Sequence, residues 1–107
     1  MEHLQIEDHV EFSTAKRIRK KLLSGKLVAE LLCYEPGQST PVHQHPQQDE
    51  IFYVLEGNGK LTVNGEERFI AAKSLILVPA QSHHGLVAGD TRLVILFVKA
   101  PATTTAA

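Results

Sequence analysis

Residues 37–57 of the chain read GQSTPVHQHPQQDEIFYVLEG, and the two histidines in this segment are separated by one residue. Side chains alternate along a β-strand, so His43 and His45 are expected on the same face of one strand. Two imidazoles placed in this way can bind one ion through their ring nitrogens. Pro46 ends that strand, and Glu50 opens the next, from which its carboxylate is able to face the same interior. Two imidazoles and one carboxylate suit divalent iron, nickel, zinc or manganese.

A further pair of histidines lies in residues 75–87, LILVPAQSHHGLV. Because neighbours on a strand point to opposite faces, either His83 or His84 faces the interior, and strand parity leaves the choice open. Asp49 is an alternative to Glu50 as the carboxylate ligand, although its parity on the strand is opposite.

Short runs of β-branched and apolar residues alternate with turn residues along the chain, which is typical of an all-β protein. The Asn64-Gly65 pair predicts a two-residue type I′ hairpin, since both residues reach positive φ at low cost. Residues 1–12 are expected to form an N-terminal arm and residues 101–107 a disordered tail. The predicted strands are 17–23, 27–35, 50–56, 60–63, 66–70, 75–78, 83–87 and 92–98.

Two of these strands are apolar at successive positions, residues 51–55 and 93–98. A strand of this kind is expected to be covered on both faces, whereas an alternating strand buries one face only. In a chain this short the second cover can come from another subunit, which predicts a homodimer. The alternative is that other segments of the same chain provide the cover.

Composition limits the remaining possibilities. The chain has 107 residues, 43% of them hydrophobic and 21% charged, enough for one compact domain without disulfides. The single cysteine, Cys33, cannot form an internal bridge and is predicted to be a small buried hydrophobe, with a catalytic thiolate as the alternative. The net charge of −1 argues against a nucleic-acid surface, and the basic residues in 16–21 are interpreted as the solvated face of a strand.

No segment approaches the ~20 apolar residues that a membrane span requires. Residues 1–8 are mixed and acidic, with no apolar signal segment. No membrane association is therefore expected, and a cytoplasmic location is expected by default.

The pattern Gly37-x5-His43-x-His45-x4-Glu50-x6-Gly57 resembles the first motif of the cupin superfamily, with every landmark at the family spacing. In the second cupin motif, Pro79 and His84 match the proline and the metal-binding histidine, which favours His84 over His83. The chain departs from that motif at three positions that affect turn geometry. Lys73 and Gln81 stand at the two glycine positions, and Ala88 stands at the final asparagine.

This resemblance implies a double-stranded β-helix, or jelly roll, formed as a single cupin domain over residues 1–107. It also implies one bound divalent metal ion with four ligands, His43, His45, Glu50 and His84. The implied function is a metal-dependent enzyme acting on a small molecule by dioxygenase, isomerase or lyase chemistry. A non-catalytic module that binds or senses a small molecule is the alternative. No catalytic residue is assigned, although Glu50 is a candidate for proton transfer.

Overall fold

The structure of the chain is a computed structural model that describes residues 1–44 and 47–101. Within these residues a short 3-10 helix precedes nine strands. The 3-10 helix is Ile6–His9, and the strands are β1 (Ile18–Ser24), β2 (Val28–Tyr34), β3 (Ser39–Gln44), β4 (Gln48–Glu56), β5 (Asn58–Val63), β6 (Glu66–Ala71), β7 (Leu75–Val78), β8 (His83–Ala88) and β9 (Leu93–Pro101). No helix in this described part is long and apolar enough to cross a bilayer.

The strands form two antiparallel sheets, one of five strands in the order β1-β2-β9-β4-β7 and one of four in the order β3-β8-β5-β6. The sheets pack face to face around a single apolar interior to which both contribute, which is the predicted jelly roll. Its buried side chains include Leu32, Tyr34, Phe52, Val54, Leu61, Leu86, Ile95 and Phe97.

Most strand boundaries agree with the sequence predictions to within a residue or two. The hairpin between β5 and β6 is also confirmed, since Asn64 and Gly65 have φ angles of 49° and 82°. Strand β3 is absent from the list of predicted strands, although His43 was expected on a strand. Residues 102–107, most of the expected tail, lie outside the described residues, and Pro101 is the last residue of β9.

The turns of the second cupin motif keep a left-handed backbone without glycine. Lys73 has a φ of 74° and Gln81 a φ of 66°. These are the two positions at which the motif has glycine, so the backbone preserves the turns while the side chains depart from the pattern. A left-handed conformation costs a non-glycine residue roughly 1–2 kcal/mol.

The N-terminal segment covers part of the outer face of the five-stranded sheet. Ile6, Val10 and Phe12 pack against a second buried cluster that contains Leu31 and Cys33. Cys33 is fully buried, as predicted, and burial raises the pKa of its thiol. The chain therefore supplies by itself a cover for this half of the face.

The alternative in which the same chain covers both faces of residues 51–55 is wrong for Ile51, which is 47% exposed. Phe52 and Val54 are buried in the interior, so the strand alternates at this end. Ile51 pairs with Leu77 of β7, the edge strand of the five-stranded sheet. Leu75 and Leu77 are 69% and 63% exposed, because the N-terminal segment packs on the other half of the face.

Candidate functional site

A cavity of about 410 Å³, its open mouth included, lies between the two sheets. Apolar side chains such as Leu32, Phe52 and Phe97 form part of its wall. Several ionisable or hydroxyl-bearing side chains share the same wall, an unusual concentration of polar groups for a protein interior. They are Arg17, Arg19, Tyr34, Thr40, His43, Glu50 and His84.

Two of the predicted ligands face each other across neighbouring strands. His43 of β3 is the register partner of His84 of β8, and the centroids of their rings are 4.6 Å apart. His43 Nδ1 lies 2.9 Å from the carbonyl oxygen of Pro41. A carbonyl can only accept, so Nδ1 carries the proton and donates it, and in the neutral ring the lone pair is on Nε2. Such a bond orients a histidine for ligation through its other nitrogen.

Glu50 joins these histidines from β4. It is 3% exposed, and its Oε2 atom lies 3.5 Å from His84 Nε2. Burial raises the pKa of the Glu50 carboxyl, while the charges of Lys99, His43 and Arg19 act in the opposite direction. A carboxylate removed from water in this way is stabilised by any cation that reaches it.

Glu50 and His84 are close enough to share one divalent metal ion. Two ligands that each lie about 2.1 Å from one ion can be at most about 4.2 Å apart, and the 3.5 Å between Glu50 and His84 is within that limit. His45, the fourth predicted ligand, lies outside the described residues. Among the residues that are described, no group of three or more His, Cys, Asp or Glu side chains is arranged so that it could hold a metal ion.

The two alternatives from the sequence lie away from the cavity. Asp49 is exposed, and its Oδ1 atom accepts a hydrogen bond of 2.6 Å from the backbone N–H of Ala80. His83 is exposed, whereas His84 is 5% exposed. Strand parity explains both results, because adjacent residues point to opposite faces.

The interpretation of the basic run as a solvated strand face is wrong for Arg17, which is partly buried in the cavity wall. Arg19 also lines the cavity but is exposed, as are Lys16 and Lys21. Ile18, between the two arginines, packs in the outer cluster. The alternation of charged and apolar residues was the signal in the sequence, since it places both arginines on one face.

Arg19 belongs to a charged cluster beside the cavity. Its guanidinium donates from Nε and Nη2 to the two oxygens of Glu30, each at 3.0 Å. Lys99 Nζ lies 2.9 Å from Glu30 Oε2, and the Glu30 side chain is 6% exposed. Burial alone would raise the pKa of Glu30, but the hydrogen bonds and charges of Arg19 and Lys99 hold it below its ordinary value.

Comparison with known proteins agrees with this architecture. The family model for the cupin domain matches residues 30–99. A structure from Thermus thermophilus superposes with a TM-score of 0.88 at 26% identity, over 95% of this chain and 99% of that one. A predicted oxalate decarboxylase from Thermotoga maritima superposes with a TM-score of 0.72 at 25% identity, over 80% of this chain and 90% of that one.

A curated sequence, an uncharacterised protein of Methanocaldococcus jannaschii, is 33% identical over 48 residues. These residues are 45% of this chain and 38% of the relative, so the match spans well under half of that protein's length. The family model covers far more of the chain and includes the segments that carry His43, Glu50 and His84. The chain belongs to the cupin domain family.

Proposed function

We propose that this cupin holds one divalent metal ion through His43, His45, Glu50 and His84 and acts as an enzyme on a small molecule in the cavity. The observation that carries this proposal is the buried Glu50 carboxylate 3.5 Å from His84, with His43 beside it, in the wall of an open cavity. Iron, nickel, zinc or manganese suits this donor set. The likeness to a predicted oxalate decarboxylase supports an enzymatic role.

A divalent ion bound here would act as a Lewis acid that polarises an oxygen of the substrate. The chain's own residues then have separate tasks. Phe52 meets the ring of His84 edge-on, with ring centroids 5.9 Å apart, and so fixes its orientation. Burial raises the pKa of Glu50 in the metal-free chain, and a bound ion would favour the carboxylate form that binds it. Leu32 and Phe97 form an apolar part of the cavity wall, against which the non-polar part of a substrate would pack.

The test is elemental analysis of the protein purified without added metal, comparing His84→Ala with His83→Ala. The wild type and His83→Ala are expected to retain about one ion per chain, whereas His84→Ala loses it. His83 is a matched control because it is the adjacent, exposed histidine. Equal metal content in the two variants would remove His84 from the site.

The class of reaction needs a second measurement on the metal-loaded protein. Oxygen consumption, isomerisation and lyase activity would be assayed with small oxygenated acids, diketones and sugars. Turnover that disappears with the metal supports the enzyme. A loaded protein that binds such molecules without turning them over would instead be a binding or sensing module.

We also propose that the chain forms a homodimer through the exposed half of the five-stranded sheet. Leu75, Leu77 and Ile51 present a contiguous apolar surface there, and no described residue packs over it. Apolar surfaces of this kind are typical of protein interfaces. The cytoplasmic location and the lack of a nucleic-acid partner stay predictions.

A further inference from the structure

Arg17 differs from the other arginines of the chain in its electrostatic surroundings. The chain has four arginines, and three of them pair with glutamates. Across the described residues, Arg17 has no carboxylate within ion-pairing distance, although it is partly buried in the cavity wall. A partly buried guanidinium in a cavity wall with no protein anion beside it is suited to an anion that arrives from solution.

Two hydroxyl groups hold this guanidinium in place. Arg17 Nε donates to Thr40 Oγ1 at 2.7 Å, and Tyr34 Oη lies 2.8 Å from the same oxygen. Because Nε donates to Thr40, the planar guanidinium is fixed at one edge, and its two Nη groups carry four further N–H donors, more than its contact with Tyr34 uses. The Arg17, Thr40 and Tyr34 side chains are named here the arginine cluster.

The hydroxyl hydrogens of the cluster add one more donor. Thr40 and Tyr34 carry one hydroxyl hydrogen each, and the bond between them uses one of the two. The other hydrogen can be donated to a ligand, whichever hydroxyl supplies it. Burial raises the pKa of Tyr34, so its phenol stays protonated at neutral pH. A guanidinium edge and a hydroxyl donor together match the lone pairs of a carboxylate.

The arginine cluster and the proposed metal ligands lie along the same strand pair. Thr40 is opposite Leu86, and His43 is opposite His84. On β8 these partners, Leu86 and His84, are two residues apart, which corresponds to about 7 Å along the strand. A molecule of only a few bonds therefore reaches from one group to the other.

We infer that the arginine cluster binds the carboxylate of a short organic acid, and that a second oxygen of the same acid lies toward His43, Glu50 and His84. The substrate class is a small carboxylic acid with a carbonyl or hydroxyl oxygen close to the carboxylate. This inference rests on the proposed function for the second oxygen, whereas the carboxylate contact depends on the arginine cluster alone.

The test is calorimetric titration of the metal-loaded protein with pyruvate, pyruvamide and inorganic phosphate. Pyruvamide has the same size as pyruvate but lacks the charge. Wild type is expected to bind pyruvate at least about tenfold more tightly than pyruvamide or phosphate. Arg17→Gln is expected to weaken pyruvate binding by about 10-fold to 100-fold and to leave pyruvamide binding and metal content unchanged.

Lys16→Gln is the matched control, since it removes an exposed positive charge one residue away and is expected to bind pyruvate as the wild type does. Thermal unfolding checks that Arg17→Gln is folded. If it is not, Arg17→Lys keeps the charge, loses the planar fork, and is expected to show a smaller loss of pyruvate affinity.

Wild-type pyruvate affinity in folded Arg17 variants would overturn the inference. So would equal binding of pyruvate and pyruvamide by the wild type, tighter binding of phosphate, or no pyruvate binding at all. Failure of the proposed function has a different signature, which is a wild-type protein without bound metal by elemental analysis. In that case the same titrations are made on the metal-free protein, where Arg17→Gln is still expected to bind pyruvate more weakly than Lys16→Gln does. Equal pyruvate affinities of these two variants would then overturn the carboxylate contact.

Discussion

Replacing Glu30 by glutamine is expected to destabilise the protein in a way that depends on pH. Glu30 is the common partner of Arg19 and Lys99, and the three side chains lie beside the cavity. Removing one partner of a buried ion pair costs about 3–5 kcal/mol, because the remaining charge stays uncompensated. Lys99 is 14% exposed and bears this penalty, whereas Arg19 is 42% exposed and is partly solvated by water. We therefore expect Glu30→Gln to lower the free energy of unfolding by about 2–3 kcal/mol at pH 7.

The sign of the pH dependence follows from the lowered pKa of Glu30 in the folded protein. A lowered pKa contributes stability that is fully present above the ordinary glutamate value of 4.5 and is lost as the pH falls toward the folded value. Glu30→Gln lacks this contribution at every pH. The difference in stability between wild type and variant is thus greatest near pH 7 and shrinks below pH 4.5.

Urea denaturation of both proteins from pH 7 to pH 3 measures this difference, and at pH 7 the variant midpoint is expected to fall by about 2 M. Glu66→Gln is the control, since Glu66 pairs with Arg68 on the surface, where the two side chains are 64% and 73% exposed. It is expected to change little at any pH. A Glu30→Gln effect no larger than that of the control, or one that is constant between pH 7 and pH 3, would refute the reasoning.

Three further changes test other parts of the fold. Phe52→Ala removes a ring that is 4% exposed and contacts both sheets. We expect the free energy of unfolding, measured by urea denaturation, to fall by about 3–5 kcal/mol. A fall of less than about 1 kcal/mol would contradict the packing described. Gly57 has a φ of +86°, and Gly57→Ala would place a Cβ 1.8 Å from the carbonyl oxygen of Arg92. We therefore expect this variant to have a lower melting temperature than the wild type. An unchanged melting temperature would contradict this turn geometry. Leu77→Lys is expected to shift the protein from dimer to monomer in sedimentation velocity. Leu27→Lys, which also changes an exposed leucine, is expected to leave it dimeric. If both variants are dimers, the sheet face that contains Leu77 is not the interface.

Strand parity predicted that one residue of each adjacent pair faces the cavity, and the resemblance to the second cupin motif favoured His84 over His83. Glu50 and His84 face the cavity, and Asp49 and His83 do not, as alternation along a strand requires. Strand β3 was harder to recognise, because Pro41 lacks an N–H donor and is disfavoured within sheets. It is tolerated here since β3 is an edge strand with a register irregularity between Thr40 and His43.

The arginine cluster was not predictable from local pattern. Arg17 and Thr40 are 23 positions apart in the chain, and their contact exists only once the two sheets have packed together. The exposure of Ile51 has a similar cause, since it depends on which half of the sheet the N-terminal segment covers. Non-local packing of this kind leaves no periodicity in the sequence.

The left-handed residues at Lys73 and Gln81 indicate where heat tolerance can be gained by engineering. Glycine adopts this conformation without the steric penalty that the present side chains bear, so substitution at each position is expected to add about 0.5–1 kcal/mol. The two sites differ in their surroundings, because the carbonyl of Gln81 accepts a hydrogen bond from Gln44, the neighbour of His43 in the chain. Lys73 is therefore the safer position to change first, because a more flexible turn at residue 81 would also weaken the hydrogen bond that holds Gln44 beside the candidate ligand His43.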